Sequence, residues 1–236
     1  MQEEVNKHTR KIFKELKNKE HSFGEKLKEV TIEILIIVFA VTLSIWLHSW
    51  SEHRHEQKQV KKFLTGLRED LTKDIDLLEE NKAILARVDS DFEFLYDLII
   101  KKQLNTQTDS ALYSKTRYQI LETHLNVGRF EGFKSSGKLE TIETDSLKEK
   151  ILVFYQQTIP DLLAGEVFNN SLQMKILDTE LDKSDTETKK KILSSQKVGA
   201  LIHLLVYNAD IALNDYSNTI ADARELIKDI EKELKH

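Results

Sequence analysis

The sequence predicts an all-α protein: one N-terminal transmembrane helix continuing into an elongated extramembrane helical bundle. Three observations predict it. Residues 30–50 read VTIEILIIVFAVTLSIWLHSW, with no charge from Ile34 to Leu47. As helix these 21 residues reach about 30 Å, the thickness of a bilayer's hydrocarbon core. Helix breakers are scarce, with one Pro and seven Gly in 236 residues, and helix formers dominate. After the apolar run, apolar residues recur every seven positions, the mark of a long packed helix.

Composition narrows the function classes. The net charge of -5 leaves no electrostatic footprint for nucleic acid. The chain has no Cys, which excludes disulfides, thiolate metal sites and Cys nucleophiles, and leaves the redox compartment open. Its length fits one or two domains.

Residues 1–29 mix charges of both signs and form the expected cytoplasmic segment. Ser22 and Glu25 have capping-box spacing, which starts the membrane helix near Phe23. Ile12, Phe13 and Leu16 fit a short solvated helix or frayed tail better than a basic arm lying on anionic lipid. The apolar run is too long for a cleaved signal peptide and no small-x-small site follows it, so an uncleaved anchor is expected. It is apolar all round, unlike a core helix with one apolar stripe. Within about twenty residues of it, seven cations precede it (Arg10, Lys11, Lys14, Lys17, Lys19, Lys26, Lys28) and five follow it (Arg54, Lys58, Lys61, Lys62, Arg68). That bias places the N-terminus in the cytoplasm and residues 51–236 in the periplasm, across the inner membrane.

Beyond the span, Leu64, Leu71, Leu78, Leu85, Phe92 and Ile99 alternate with Val60, Leu67, Asp74, Asn81, Val88 and Leu95 as a heptad a/d pattern. It predicts a coiled-coil-like rod of about 55 residues to Asn105, on the order of 80 Å long. Phe63, Ile75, Leu77, Ile84 and Leu98 widen the stripe, so a bundle must cover it. Asp74 and Asn81 interrupt the pattern. Either they are buried and fix register, or Ile75 and Leu77 take the core and both polar groups face water; the second is the expectation.

The stretch NTQTDS, 105–110, is a break. A helix is expected over 110–125, stopped by Gly128 in a left-handed conformation. Residues 129–142, RFEGFKSSGKLETI, predict short helices with a bend. Ser146 and Glu149 form a second capping box, opening a helix to Leu181 that Pro160 should kink or split, with Gly165 inside it. Ser184 and Glu187 cap the last helix, whose face carries Val198, Leu201, Leu205, Ala209, Ala212, Tyr216, Ile220, Ala223, Ile227, Ile230 and Leu234. The charges Glu225, Lys228, Asp229, Glu231 and Lys232 bar it from a membrane.

Residues 33–54, EILIIVFAVTLSIWLHSWSEHR, resemble without a gap the opening of a single-pass membrane family of unknown function found mainly in Bacteroidota. That family shows Gly-Glu before its apolar run and Asn-Asn-Trp-Asn-Glu-x-Arg after it; Glu33, Trp50, Glu52 and Arg54 fall on matching positions. FKSSGKLETI, 133–142, is similar to the family's internal Lys-Ser-Ser-Gly-Lys-Leu signature, about 80 residues on and in the same order. The chain departs where the family's Gly is missing at 30–32, and where His48 and Ser49 replace the paired Asn. The resemblance implies an inner-membrane protein and supplies no catalytic residues.

Glu33 near the edge of the span fits snorkelling to headgroups, with a contact to a partner helix as the sharper alternative. Thr42 and Ser44 offer hydrogen bonds between helices, and Trp46 and Trp50 sit where an aromatic belt meets headgroups. His48, Glu52 and His55, spaced i, i+4 and i+7, are a weak metal set, and no metal or other cofactor is expected. Phe133, Lys134, Ser135, Ser136, Gly137 and Lys138 lack the spacing and the preceding strand of a phosphate loop. They are expected to form a bend and, through the family signature, a docking site. His124 and His203 read as core or surface residues. The expected function is therefore a structural or interaction protein of the bacterial envelope without catalysis, a homo-oligomer, bound to a membrane-protein partner, or both. A ligand-sensing bundle that signals through a separate partner, and an accessory subunit of a transporter or channel, are the alternatives.

Overall fold

The computed structural model describes residues 23–107, 112, 114–116, 118–181 and 186–235. The expectations for Ile12, Phe13 and Leu16, for Ser22, Ser110 and Ser184, and for the side chains of Glu25 and Glu187 lie outside the described residues. Helix α1, Phe23–Ile100, is 78 residues long. After it come α2 (Gly128–Ser135), α3 (Asp145–Val153), α4 (Ile159–Leu181), α5 (Thr186–Leu193) and α6 (Gln196–Glu233). No strand occurs among the described residues, so the protein is all-α. The chain divides into two compact units, Met1–Glu56 and Gln57–His236.

In the first unit, α1 is long and apolar enough to cross a membrane, and none of its apolar window is buried. Residues 30–50 are exposed throughout. The run is apolar on every face, unlike a core helix with a single apolar stripe.

In the second unit the heptad residues of α1 supply the core. Val60, Leu64, Leu67, Leu71, Leu78, Leu85, Val88, Phe92 and Leu95 are buried, against α3, α4 and α6. One apolar cluster runs from Val60 to Leu85 with Tyr155, Leu162 and Tyr216. A second runs from Val88 to Leu98 with Leu172, Ile176, Ile202 and Leu205. The residues of α4 between these two sets, Glu166, Asn169 and Gln173, are buried and polar.

Several expectations change. The rod ends at Ile100, not Asn105. Lys102 adopts φ 57°, and the N–H groups of Lys102 and Gln103 close on Ile99 and Leu98 carbonyls at 3.1 and 2.9 Å, a Schellman stop with lysine in the left-handed place. Gly128 does not end a helix; it begins α2. The left-handed glycine is Gly137, φ 72°, just past the end of α2. Helix α3 starts one residue before Ser146, with Thr144 at its N-cap; the Thr144 hydroxyl donates to Glu233 Oε2 at 2.7 Å. The expected helix is interrupted just before Pro160. A π turn, Phe154–Thr158, joins α3 to α4 and absorbs the missing proline donor. The last helix is split: Ser194 and Ser195 separate α5 from α6, and the Ser195 side chain caps α6 by accepting from the Val198 N–H.

Candidate functional site

The expected helix over 110–125 is the largest departure. A single turn survives at Leu112, where the Thr116 N–H reaches the Leu112 carbonyl at 3.1 Å. Residues 118–127 form neither helix nor strand. Their backbone groups bond to side chains. Gln119 N–H donates to Gln173 Oε1 at 3.1 Å, and Gln173 Nε2 returns a bond to the Gln119 carbonyl at 3.2 Å. Leu121 and Asn170 exchange the same pair at 3.1 and 2.6 Å. Thr123 N–H donates to Glu166 Oε1 at 2.9 Å, and its hydroxyl donates to Glu166 Oε2. Glu166, Asn170 and Gln173 stand at i, i+4 and i+7 on α4, while their partners are alternate residues of the extended chain. A helix turn rises about 5.4 Å and two extended residues about 6.6 Å, so successive rungs stay in step.

Asp74 and Asn81 complete this ladder from α1, which corrects the expectation that they face water. Asp74 is 1% exposed and Asn81 7%. Asp74 accepts the Asn126 N–H at 3.0 Å and Asn126 Nδ2 at 2.7 Å. Asn81 Nδ2 donates to Thr123 Oγ1 at 2.8 Å, and the Tyr216 hydroxyl donates to Glu166 Oε2 at 2.5 Å. Burial raises the Asp74 carboxyl above its ordinary range, against the lowering bonds from Asn126. Ile75 is buried as well, and Leu77 is partly exposed. The heptad interruptions thus hold a segment of their own chain in register.

This polar layer contains a carboxylate, a phenol and amides, but the cleft beside Glu166 and Asn169 measures about 10 Å³. That is room for about one water-sized guest, far below a ligand pocket of hundreds of Å³. Its chemistry is structural. A groove of about 350 Å³ lies between α3 and α6, lined by Ser146, Glu149, Lys150, Phe154, Asp222 and Leu226. Lys150 spans it, donating to Asp229 at 2.6 Å and Glu225 at 2.5 Å, which raises its ammonium above the ordinary range.

Comparison with protein-family models, curated proteins and solved structures finds no match to this chain. Glu33, Thr42, Ser44, Trp46 and Trp50 all lie on the exposed length of α1. The Thr42 hydroxyl reaches the Val38 and Phe39 carbonyls of its own helix at 2.8 and 3.0 Å, so its proton serves that helix and not a neighbour. Arg54 lies 4.9 Å from the Trp50 ring centroid, a cation–π pair. His48 stands 4.0 Å from Glu52, both exposed. Among the described residues no three His, Cys, Asp or Glu converge on a metal position, and His48, Glu52 and His55 are not brought together as a set.

The stretch 133–138 forms a bend. Phe133 stacks on Phe63 with ring centroids 3.9 Å apart. Ser135 and Ser136 hydroxyls donate to the Glu131 and Phe133 carbonyls at 2.5 and 2.8 Å, and the Ser136 and Gly137 N–H groups close on Gly132 and Lys134. These donors finish a helix end and hold no phosphate. Lys134 and Lys138 are exposed. His124 is exposed, and His203 packs against Tyr96 at 5.1 Å. The ladder was missed in the sequence, although Leu121, Thr123 and Leu125 alternate with Glu122 and His124, a period-2 signal for extended chain.

Proposed function

We propose that this chain is a membrane-anchored structural or interaction protein, a helical scaffold or accessory component of a bacterial envelope complex, and that it performs no catalysis. One observation carries the reading: the apolar window of α1 is wholly exposed, while the buried polar groups of the second unit are spent on clamping its own chain. In this reading the N-terminus lies in the cytoplasm and residues 51–236 in the periplasm, as the cation bias and the resemblance of residues 33–54 and 133–142 to a Bacteroidota inner-membrane family suggest. Leu204, Tyr207 and Ile211, exposed on one face of α6, support an interaction role, whether with a second copy or with a membrane-protein partner. Purification of the full chain from native membranes in mild detergent, tagged after His236, tests this by native mass. A stoichiometric companion or a defined homo-oligomer is expected. A monomer without companions counts against the reading. Reporter fusions at both ends test the orientation.

The groove between α3 and α6 favours a second reading, a ligand-sensing bundle, because a π turn borders it and such turns recur at functional sites. A thermal-shift screen of the full chain in detergent separates the two: a ligand-dependent rise supports sensing, and a flat screen supports the scaffold.

A further inference from the structure

The second unit carries a cationic depression near its entry from the span. It measures about 430 Å³ and is lined by Lys58, Lys61, Lys62, Gly66, Glu69 and Arg129, with Thr65 at its edge. The Arg129 guanidinium sits at Gly66 of α1, in space that a Cβ would take. Asp70 holds the same guanidinium through Nε at 2.7 Å, leaving its other N–H groups for a guest. Among the described residues Lys58, Lys61 and Lys62 form no ion pair. Thr65 donates to the Lys61 carbonyl, and Glu69 is the one carboxylate in the lining. The bend at 134–138 stands at the same end of this unit: Phe133 stacks on Phe63, and Gln57 Nε2 donates to the Thr141 carbonyl at 3.1 Å.

We infer that this depression binds the phosphate of an anionic phospholipid headgroup, through Lys58, Lys61, Lys62 and Arg129. A guanidinium fixed at one edge and three exposed ammonium groups form a donor set suited to a phosphate diester. Lys58 follows Trp50, the end of the apolar run, by only eight residues of sequence. Basic groups so close to a span are attracted to anionic lipid, each contributing independently until salt screens them. This assignment rests on the membrane anchoring proposed above, and on neither a partner nor an orientation.

The test uses the full chain in detergent micelles, read by native mass spectrometry. Phosphatidylglycerol, phosphatidylcholine or inorganic phosphate is added in turn to the wild type, to the triple variant Lys58→Gln, Lys61→Gln, Lys62→Gln, and to a control with Lys175→Gln, Lys197→Gln and Lys228→Gln. Phosphatidylglycerol adducts on the wild type and control, weakened about tenfold or more in the notch variant and by high salt, are expected. Equal adducts on all three proteins, or no preference for phosphatidylglycerol over phosphatidylcholine, overturn the assignment. Inorganic phosphate that displaces phosphatidylglycerol at comparable concentration also overturns it, in favour of a free phosphate. A Lys58→Arg, Lys61→Arg, Lys62→Arg variant must restore the adducts, which a folding defect would not allow. Alkaline carbonate extraction of membranes separately reports whether the anchor itself fails.

Discussion

At Asp89, half-buried on α1 with Oδ1 unpartnered, burial and then the Glu93 and Asp210 carboxylates push the carboxyl up to about 6 from 3.8. The folded state therefore keeps a proton that the unfolded chain releases between these values. Stability falls as pH rises through that interval and stays lower above about 6. Asp89→Asn should leave stability unchanged near pH 4 and raise it at pH 8, by on the order of 1 kcal/mol after discounting for solvent screening; denaturant melts at the two pH values check this. Lys102 offers a second test, since its left-handed backbone suits glycine. Lys102→Gly should stabilise by about 0.5–1 kcal/mol, and Gly137→Ala, with the opposite change at a similar corner, should cost about 1 kcal/mol. No sequence rule distinguishes Lys102 from its neighbour Lys101. The signal at Gly137 was legible as a bend and misassigned at Gly128, because both glycines follow a helix-compatible stretch.

At the scale of elements, heptad spacing located the buried line of α1 residue by residue, from Val60 to Leu95. It also marked Asp74 and Asn81 as exceptions, without revealing what they bond. Their partners, Asn126 and Thr123, lie 52 and 42 residues away, beyond any local pattern. The helix expected over 110–125 is absent from 118–125, and the alternation there is a weak local signal, because a chain clamped by helix side chains has no turn or hairpin signature. Asn170→Ala removes both bonds to Leu121 and leaves its half-buried N–H and carbonyl unpaired. The expected cost is about 2 kcal/mol, with hydrogen exchange at Leu121 accelerating more than at Val198 in α6. Equal acceleration at both sites would mean that the ladder is no more than a part of the global unfolding unit.

For the whole molecule, the all-α class follows from the scarcity of breakers and the heptad periodicity, and the one described helix long and apolar enough to cross a membrane follows from one apolar run without charge. Val38→Arg places a charge at the middle of that run and should cost about 2.5–3.5 kcal/mol of insertion, seen as loss of the chain from carbonate-washed membranes. The groove beside Lys150 and the notch at Gly66 were not legible, since each joins residues 60 or more positions apart. The ladder also orders events in time. Residues 119–126 have no fold of their own to adopt until α1 and α4 stand side by side, because their backbone rungs are side chains of those helices, with Tyr216 of α6 also meeting the Thr123 hydroxyl. Their docking closes loops of 42 to 54 residues, and its entropic cost is recovered only when several rungs form together. A kinetic experiment that pulses amide labelling during refolding should find Leu121 and Thr123 protected last, after the helices that hold them.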